Sequence, residues 1–270
     1  MPDLSGYFLI TDLDGTLLTD EKTLSDKDKD AINRFVKDGG RFTVARGRTL
    51  QATSRYIEEL ELQIPLIMYN GSLIYDYEKK IVLYTDELPL DAEKIALDLL
   101  NIIENPGAEV LRLDNIYIVC NNKYEKEHVE ICKVNPKYMD IDKVPKGGWF
   151  KILFATSPEQ ISKLENYVNS KDYPVDFVRS HDIYFEMLPK GSSKGAALKE
   201  YIKIHKLESV KVVAAGDYHN DIEMLQTADI GAATANAQPL VKEKADVVLS
   251  KTNNEGAIAE LIDMIYSGRI

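Results

Sequence analysis

Two short segments gather carboxylates where a cation or a phosphate could be met. "DLDGT", Asp12 to Thr16, follows directly on the apolar run "YFLITD". In an open parallel sheet, ligands sit beyond the carboxyl ends of the strands. Asp12 therefore projects toward ligand space, and Asp14 reaches the same space once the chain leaves the strand. Gly15 permits the tight turn between them. Such a pair suits a hard cation such as Mg2+, which takes oxygen ligands and keeps several waters, and it suits nucleophile-plus-acid chemistry. Alone, the pentapeptide also reads as an Asx turn leading into a cap. "GDYHND", Gly216 to Asp221, repeats the arrangement after "VKVVAA". Capping of "DIEML" accounts for one of its acids but not for Asp217 as well. Two clusters at two strand ends would converge on one cation. Lys194, in "SSKGAAL", opens a helix, where the macrodipole disfavours a positive charge. An isolated surface lysine needs no explanation; beside an acidic, phosphate-holding site it serves as a counter-charge.

The elements that must position these residues follow from the hydrophobic pattern. The continuous run before Asp12 suits a strand buried on both faces. "SDKDKDAINRFVKDGG" reads as a helix with Ile32, Phe35 and Val36 on one face, capped by Ser25 and stopped by Gly39. "RFTVA" is a second strand, "QATSRYIEELEL" a second helix and "PLIMYNG" a third strand. Strand alternating with helix predicts a doubly wound, Rossmann-like α/β domain with a parallel sheet. The same grammar returns from "SKGAALKEYIKIHKL" to the last helix, "GAIAELIDMIYS".

Between these halves the texture changes. "SLIYDYEKKIVLYTDEL" reads as a hairpin around Glu78 and Lys79. "PLDAEKIALDLLNIIE" is amphipathic, with Ile95, Leu99, Ile102 and Ile103 on one side. "AEVLRL", "NIYIVCN", "WFKILFAT", "VDFVRS" and "DIYFEML" read as strands, with a helix at "PEQISKLENYV". This predicts an α+β cap domain over residues 86–188, inserted between core segments 1–85 and 189–270.

Composition narrows the function classes. Over 270 residues, 44% are hydrophobic, enough for a core. A net charge of −11 repels a nucleic-acid backbone, so a general nucleic-acid binder is not expected. Cys120 and Cys132 lie near no histidine in a finger-like spacing and read as buried free thiols. No stretch approaches the roughly 18 apolar residues of a membrane span, and the first residues carry no basic leader pattern. A cytoplasmic protein without a membrane partner is the expectation. Oligomeric state is not legible.

"DLDGT", the strand-end pair Gly47-Arg48, Asn70-Gly71, "KGAAL" and "GDYHND" occur in this order, with an inserted module between the Asn70-Gly71 pair and "KGAAL". Together they resemble the haloacid dehalogenase superfamily of phosphatases, specifically the Cof-type, sugar-phosphatase-like branch with a type II cap of subtype B. The likeness covers essentially the whole chain, including the tail "GAATANAQPLVKEKADVVLSKTNNEGAIAELI". It implies a phosphatase acting on a small phosphorylated metabolite. Asp12 would be the nucleophile that forms an aspartyl-phosphate, and Asp14 would act as acid and then as base. Mg2+ would be held by the Asp12 carboxylate, the Asp14 main-chain carbonyl and Asp217, with Asp221 nearby. Lys194 and Asn220 would contact the phosphoryl oxygens, helped by backbone N–H groups around Leu13 and Gly47, and Asn70 would orient the substrate. Phosphoryl transfer asks mainly for positioning and charge neutralisation, which such a set supplies.

One departure bears on that chemistry. The branch carries Ser or Thr where this chain has Arg46, in "ARGR". A guanidinium binds phosphate well, but it is long enough to overshoot the phosphate site. It could lie over the phosphate or swing aside, leaving an active enzyme; it could fold back onto Asp12 or Asp217 and compete with Mg2+; or the chain could bind phosphate compounds without turning them over. The first is the expectation here. A phosphate-compound-binding scaffold and a phosphomutase-type transferase are the alternatives. Smaller departures are Ala235 in place of glycine and Thr234 in place of methionine. The aromatic segments "NIYIV", "GGWF" and "HDIYFEM" of the insert are candidates for substrate choice, although alternate aromatics on a half-buried sheet are usually core. His128 and His181 read as surface residues, and His219 receives no role.

Overall fold

The strand Tyr7–Thr11 has a parallel neighbour on each side, which is why its centre is apolar: Phe8, Leu9 and Ile10 are all fully buried. The computed structural model describes residues 3–47 and 49–270. Arg48, part of the strand-end pair, lies outside the described residues. Across the parallel sheet the order is Val247–Val248, Ile230–Ala233, Lys211–Gly216, Tyr7–Thr11 and Arg41–Val44. The order places the ends of Tyr7–Thr11 and Lys211–Gly216 side by side, and these are the strands that lead into Asp12 and Asp217.

Helix Asp26–Lys37 begins as its pattern requires. Ser25 accepts a hydrogen bond from the Asp28 amide at 3.1 Å, and Gly39 takes a φ of +96° just beyond the end. Ile32 and Phe35 face the core, whereas Val36, expected on the same face, is turned to solvent. The third expected strand is shorter and only partly joined to the sheet. Leu66–Met68 touches it through one parallel bridge, Ala45 with Ile67, and otherwise pairs antiparallel with Leu73–Asp76. Tyr69 and Asn70 then adopt positive φ, so the chain turns away instead of extending as "PLIMYNG" suggests. Strand Ile81–Thr85 completes this small three-stranded sheet.

Contacts divide the chain into two compact units. The first takes the chain to Gly47 with Ser54–Tyr84 and Ser193–Ile270; the second takes residues 49–53 and Thr85–Ser192. In the second, a six-stranded sheet runs in the order Val175–His181, Tyr184–Pro189, Lys151–Ala155, Gly107–Leu111, Ile116–Cys120 and Lys137–Tyr138. All its pairs are antiparallel except the last.

Alternation along these strands sends Ala108, Val110, Ile152, Phe154, Phe185 and Met187 into a core with helices Ala92–Leu100 and Pro158–Asn169. The intervening residues include Glu109, Lys151 and Glu186, which lie on the opposite face. A further helix, Lys123–Cys132, is one the sequence reading does not assign. Asn122 caps it by accepting from the Glu125 amide at 2.9 Å, and Lys133 ends it in a left-handed conformation. Cys132 is a buried free thiol as expected, while Cys120 is only half-buried. Among the described residues no helix is long and apolar enough to cross a membrane.

Candidate active site

Asp12 is the first residue beyond Tyr7–Thr11, and its amide donates to the Ala215 carbonyl at 3.0 Å, which holds it at the sheet's carboxyl edge. The chain then winds tightly: the buried Leu13 carbonyl receives the amides of Leu17 at 3.0 Å and Leu18 at 2.8 Å. Gly15 sits inside this turn at φ +78°, and a Cβ there would collide with the Asp217 carboxylate. The two acidic segments thus approach so closely that a side chain at residue 15 would separate them.

Asp217 and Asp221 come from the end of Lys211–Gly216. Asp221 is fully buried; its Oδ2 accepts from the amides of Asp217 and Tyr218, each at 3.0 Å. Its other oxygen meets Lys194 Nζ at 2.6 Å, and the same Nζ reaches Asp12 Oδ1 at 2.6 Å. Lys194 is 1% exposed at the first turn of helix Lys194–His205, whose start Ser193 caps. The lysine that the macrodipole disfavours is thus held by two carboxylates.

Oxygens of Asp12, Asp217 and Asp221 all lie within 4.8 Å of one another. Burial pushes Asp12 up to about 6, opposed mainly by Lys194. Burial and the charges of Asp12 and Asp221 push Asp217 up to about 8, while Thr16 Oγ1, donating to Asp217 Oδ1 at 2.8 Å, opposes the rise. Lys194 is pushed upward despite burial, by Asp12 and then Asp221. With all three acids ionised, two buried carboxylates and the half-buried Asp217 against one ammonium leave a surplus of two negative charges. A divalent oxygen-seeking cation such as Mg2+ would cancel it, so the donor set fits that ion.

Asp14 is not in that cluster. Arg46 Nη2 donates to its Oδ2 at 3.0 Å, and Lys22 Nζ stands 3.1 Å from its Oδ1. Arg46 is 2% exposed, and its guanidinium carbon lies 5.4 Å from the centre of the Tyr56 ring. Of the acids the arginine could reach, it meets Asp14 and not Asp12 or Asp217. A threonine is too short to make that reach; the arginine's length and the ring of Tyr56 decide it. Gly47 packs against Asn70, whose Oδ1 a Cβ at residue 47 would meet. Asn220 Nδ2 donates to the same Asn70 Oδ1 at 3.2 Å, and Asn70 takes φ +57°. Asn70 and Asn220, read separately as orienting and phosphate-contacting residues, are therefore hydrogen-bonded partners. Behind these acidic turns, Asn236 Nδ2 donates to the Gly15 carbonyl at 2.7 Å and the Gln238 amide to the Asp217 carbonyl at 2.9 Å.

Sequence reasoning passed over Thr16, Lys22 and Tyr56. Thr16 stands in "DLDGT" itself and could have been assigned a partner. Lys22 and Tyr56 carry no motif, and only folding brings them to Asp14 and Arg46.

A family profile described as haloacid dehalogenase-like hydrolase matches residues 9–262. The chain is 30% identical over 265 residues to the putative phosphatase YxeH of Bacillus subtilis, covering 95% of this chain and 97% of that one. It is 27% identical over 268 residues to the pyridoxal phosphate phosphatase YbhA of Escherichia coli, covering 93% and 95%. Among solved structures, TM0651 from Thermotoga maritima superposes with a TM-score of 0.82 at 27% identity, covering 95% of this chain and 96% of that one. The subclass IIB sugar phosphatase BT4131 gives 0.83 at 20% identity over 98% and 100%, a likeness of fold.

Proposed function

Because the chain belongs to the haloacid dehalogenase-like hydrolases, in their Cof-type branch, we propose that it is a Mg2+-dependent phosphatase that hydrolyses small phosphorylated metabolites through an aspartyl-phosphate on Asp12. The observation that carries this reading is the convergence of Asp12, Asp217 and Asp221 within 4.8 Å around the Lys194 ammonium. Asp12, Asp217 and the Asp14 carbonyl would hold the cation, which supplies charge neutralisation for a phosphoryl group. Asp221, already saturated by two amides and Lys194, keeps the Asp217 loop in place.

Asp12 carries the nucleophilic oxygen. When it attacks phosphorus, the ester oxygen leaves with its electron pair and takes a proton from Asp14. The ionised Asp14 then accepts a proton from the water that cleaves the aspartyl-phosphate, returning Asp12 and releasing inorganic phosphate. Lys194 offsets the charge on the phosphoryl oxygens, and Asn220, whose Nδ2 donates one proton to Asn70, has a second proton to give them. The test is phosphate release from a generic aryl phosphate with and without Mg2+. Release that needs Mg2+ and disappears in Asp12→Asn supports the mechanism; full activity in that variant overturns it.

A second reading rests on Arg46 and Lys22, which clamp Asp14 from two sides. If the clamp holds with substrate present, proton delivery stalls and the chain binds phosphate compounds with little turnover. Phosphate release that appears only in Arg46→Thr supports this reading. YbhA is named for pyridoxal phosphate and the B. subtilis protein YitU for a phosphoribitylaminouracil. Both are small phosphorylated metabolites, so a screen across that class is the route to the substrate.

A further inference from the structure

A second cluster of metal-ligating groups lies wholly within the inserted unit. Glu109 stands on strand Gly107–Leu111, on the sheet face opposite the apolar core. Helix Lys123–Cys132 presents Glu125, His128 and Cys132 along one side, at positions i, i+3 and i+7. Glu109 is 1% exposed and Glu125 is fully buried. Yet none of their four carboxylate oxygens makes a hydrogen bond, and neither does His128 Nδ1.

Buried carboxylates left in this way are costly. His128 Nδ1 stands at ion-pair distance, 3.4 Å from Glu109 Oε1 and 4.0 Å from Glu125 Oε1, which offsets part of the cost when the ring is protonated but leaves the carboxylate oxygens without hydrogen bonds. Lys151 on the neighbouring strand bonds Glu186 at 3.0 Å and adds a more distant positive charge to Glu109. Ligands about 2.1 Å from a tetrahedral Zn2+ stand about 3.4 Å apart, the separation of Nδ1 from Glu109 Oε1, and a small side-chain shift would bring Glu125 to it as well.

We propose that Glu109, Glu125 and His128 Nδ1, whose ligand atoms lie within 4.8 Å of one another, form a site for a first-row divalent cation of the Zn2+ type, joining helix Lys123–Cys132 to the sheet. One imidazole and two carboxylates favour such an ion over Mg2+. The other ring nitrogen, Nε2, is 3.4 Å from Cys132 Sγ, a contact that fixes the ring's orientation from behind as a metal-bound histidine requires. The edge of Tyr184, 5.0 Å from the imidazole, closes the other side. Two carboxylates and a dication sum to zero, whereas the metal-free cluster must reach neutrality with protons. Burial and then Glu109 push Glu125 up to about 9, and Glu109 raises His128 against burial, so two protons stand in for the cation's charge. This site is independent of the phosphatase reading, and its failure would leave that reading untouched.

The test is Zn2+ binding to the whole chain by equilibrium dialysis, after chelation and against a large excess of Mg2+ to occupy the core acids. The wild-type protein should bind at least one Zn2+ more tightly, by tenfold or more, than Glu125→Gln and His128→Gln do. Gln mimics the protonated Glu125, so the first variant should fold, as circular dichroism would show. Should both variants fail to fold, the wild-type chain decides alone: the 15N resonance of one imidazole Nδ1 should move on Zn2+ addition. Equal Zn2+ affinity in wild type and folded variants, or no movement of any histidine resonance, overturns the site.

Discussion

Arg46 donates to the Asp14 carboxylate at 3.0 Å, and in doing so ties the residue that departs from the family pattern to the proposed acid and base. Asp14 remains about one-quarter exposed while Arg46 is buried, so the arginine is the fixed partner and the aspartate the one able to turn. Replacing Arg46 with Thr should release Asp14 from the guanidinium and raise kcat roughly threefold to tenfold, equivalent to about 1 kcal/mol of barrier. The same change empties space beside Tyr56 and should cost about 1–2 kcal/mol of stability. Steady-state kinetics and urea denaturation measure the two effects; a fall in kcat would mean that Arg46 contacts the phosphate after all.

Asp12→Asn keeps the shape of the residue and removes the nucleophilic oxyanion. Turnover should drop by more than about a thousandfold. Rapid-quench labelling with a 32P substrate should show phosphoprotein in the wild type and none in the variant.

Lys194→Met removes the ammonium that bridges the buried carboxylates of Asp12 and Asp221 beside the half-buried Asp217. Loss of one partner of a buried ionic group is strongly destabilising, here by roughly 3 kcal/mol in chelator at neutral pH. Activity should fall at least about a hundredfold. Added Mg2+ should recover part of the stability, since it offsets the same surplus charge, but not the activity.

The acids of the core site give a pH dependence with a definite sign. Asp12 and Asp217 are raised in the folded protein, to about 6 and about 8. Between the ordinary carboxylate range and those values the folded state binds more protons than the unfolded one, so metal-free stability falls as pH rises through that window. A cation must displace those protons, so its affinity rises with pH. The gain in melting temperature on adding Mg2+ should therefore be larger at pH 8 than at pH 6. An equal gain at both would show that these carboxylates do not titrate against the metal.

Much of this was legible in order and spacing. "DLDGT" and "GDYHND" end adjacent strands of one parallel sheet, so alternation of apolar runs with acidic turns located Asp12, Asp217 and Asp221. Asn122 as a cap and the spacing of Glu125, His128 and Cys132 were also present in the sequence. The helix they define was overlooked because its apolar residues are few: it packs a polar side against the sheet, and a search for apolar periodicity passes over it. His128, read as a surface residue, is half-buried for the same reason.

What the sequence determined by itself was the local grammar: a strand that had to be buried on both faces, turns that needed glycine, and acids left at strand ends. These follow from backbone geometry and from the solvation of side chains within a few residues. Where the long cationic side chains go was decided only by tertiary structure. Lys194 meets Asp12, 182 residues away, and Arg46 meets Asp14, 32 residues away, because the sheet brings their backbones together. Each could have reached several acids. Which one it took depended on the burial, ring contacts and competing charges that exist only once the chain has folded.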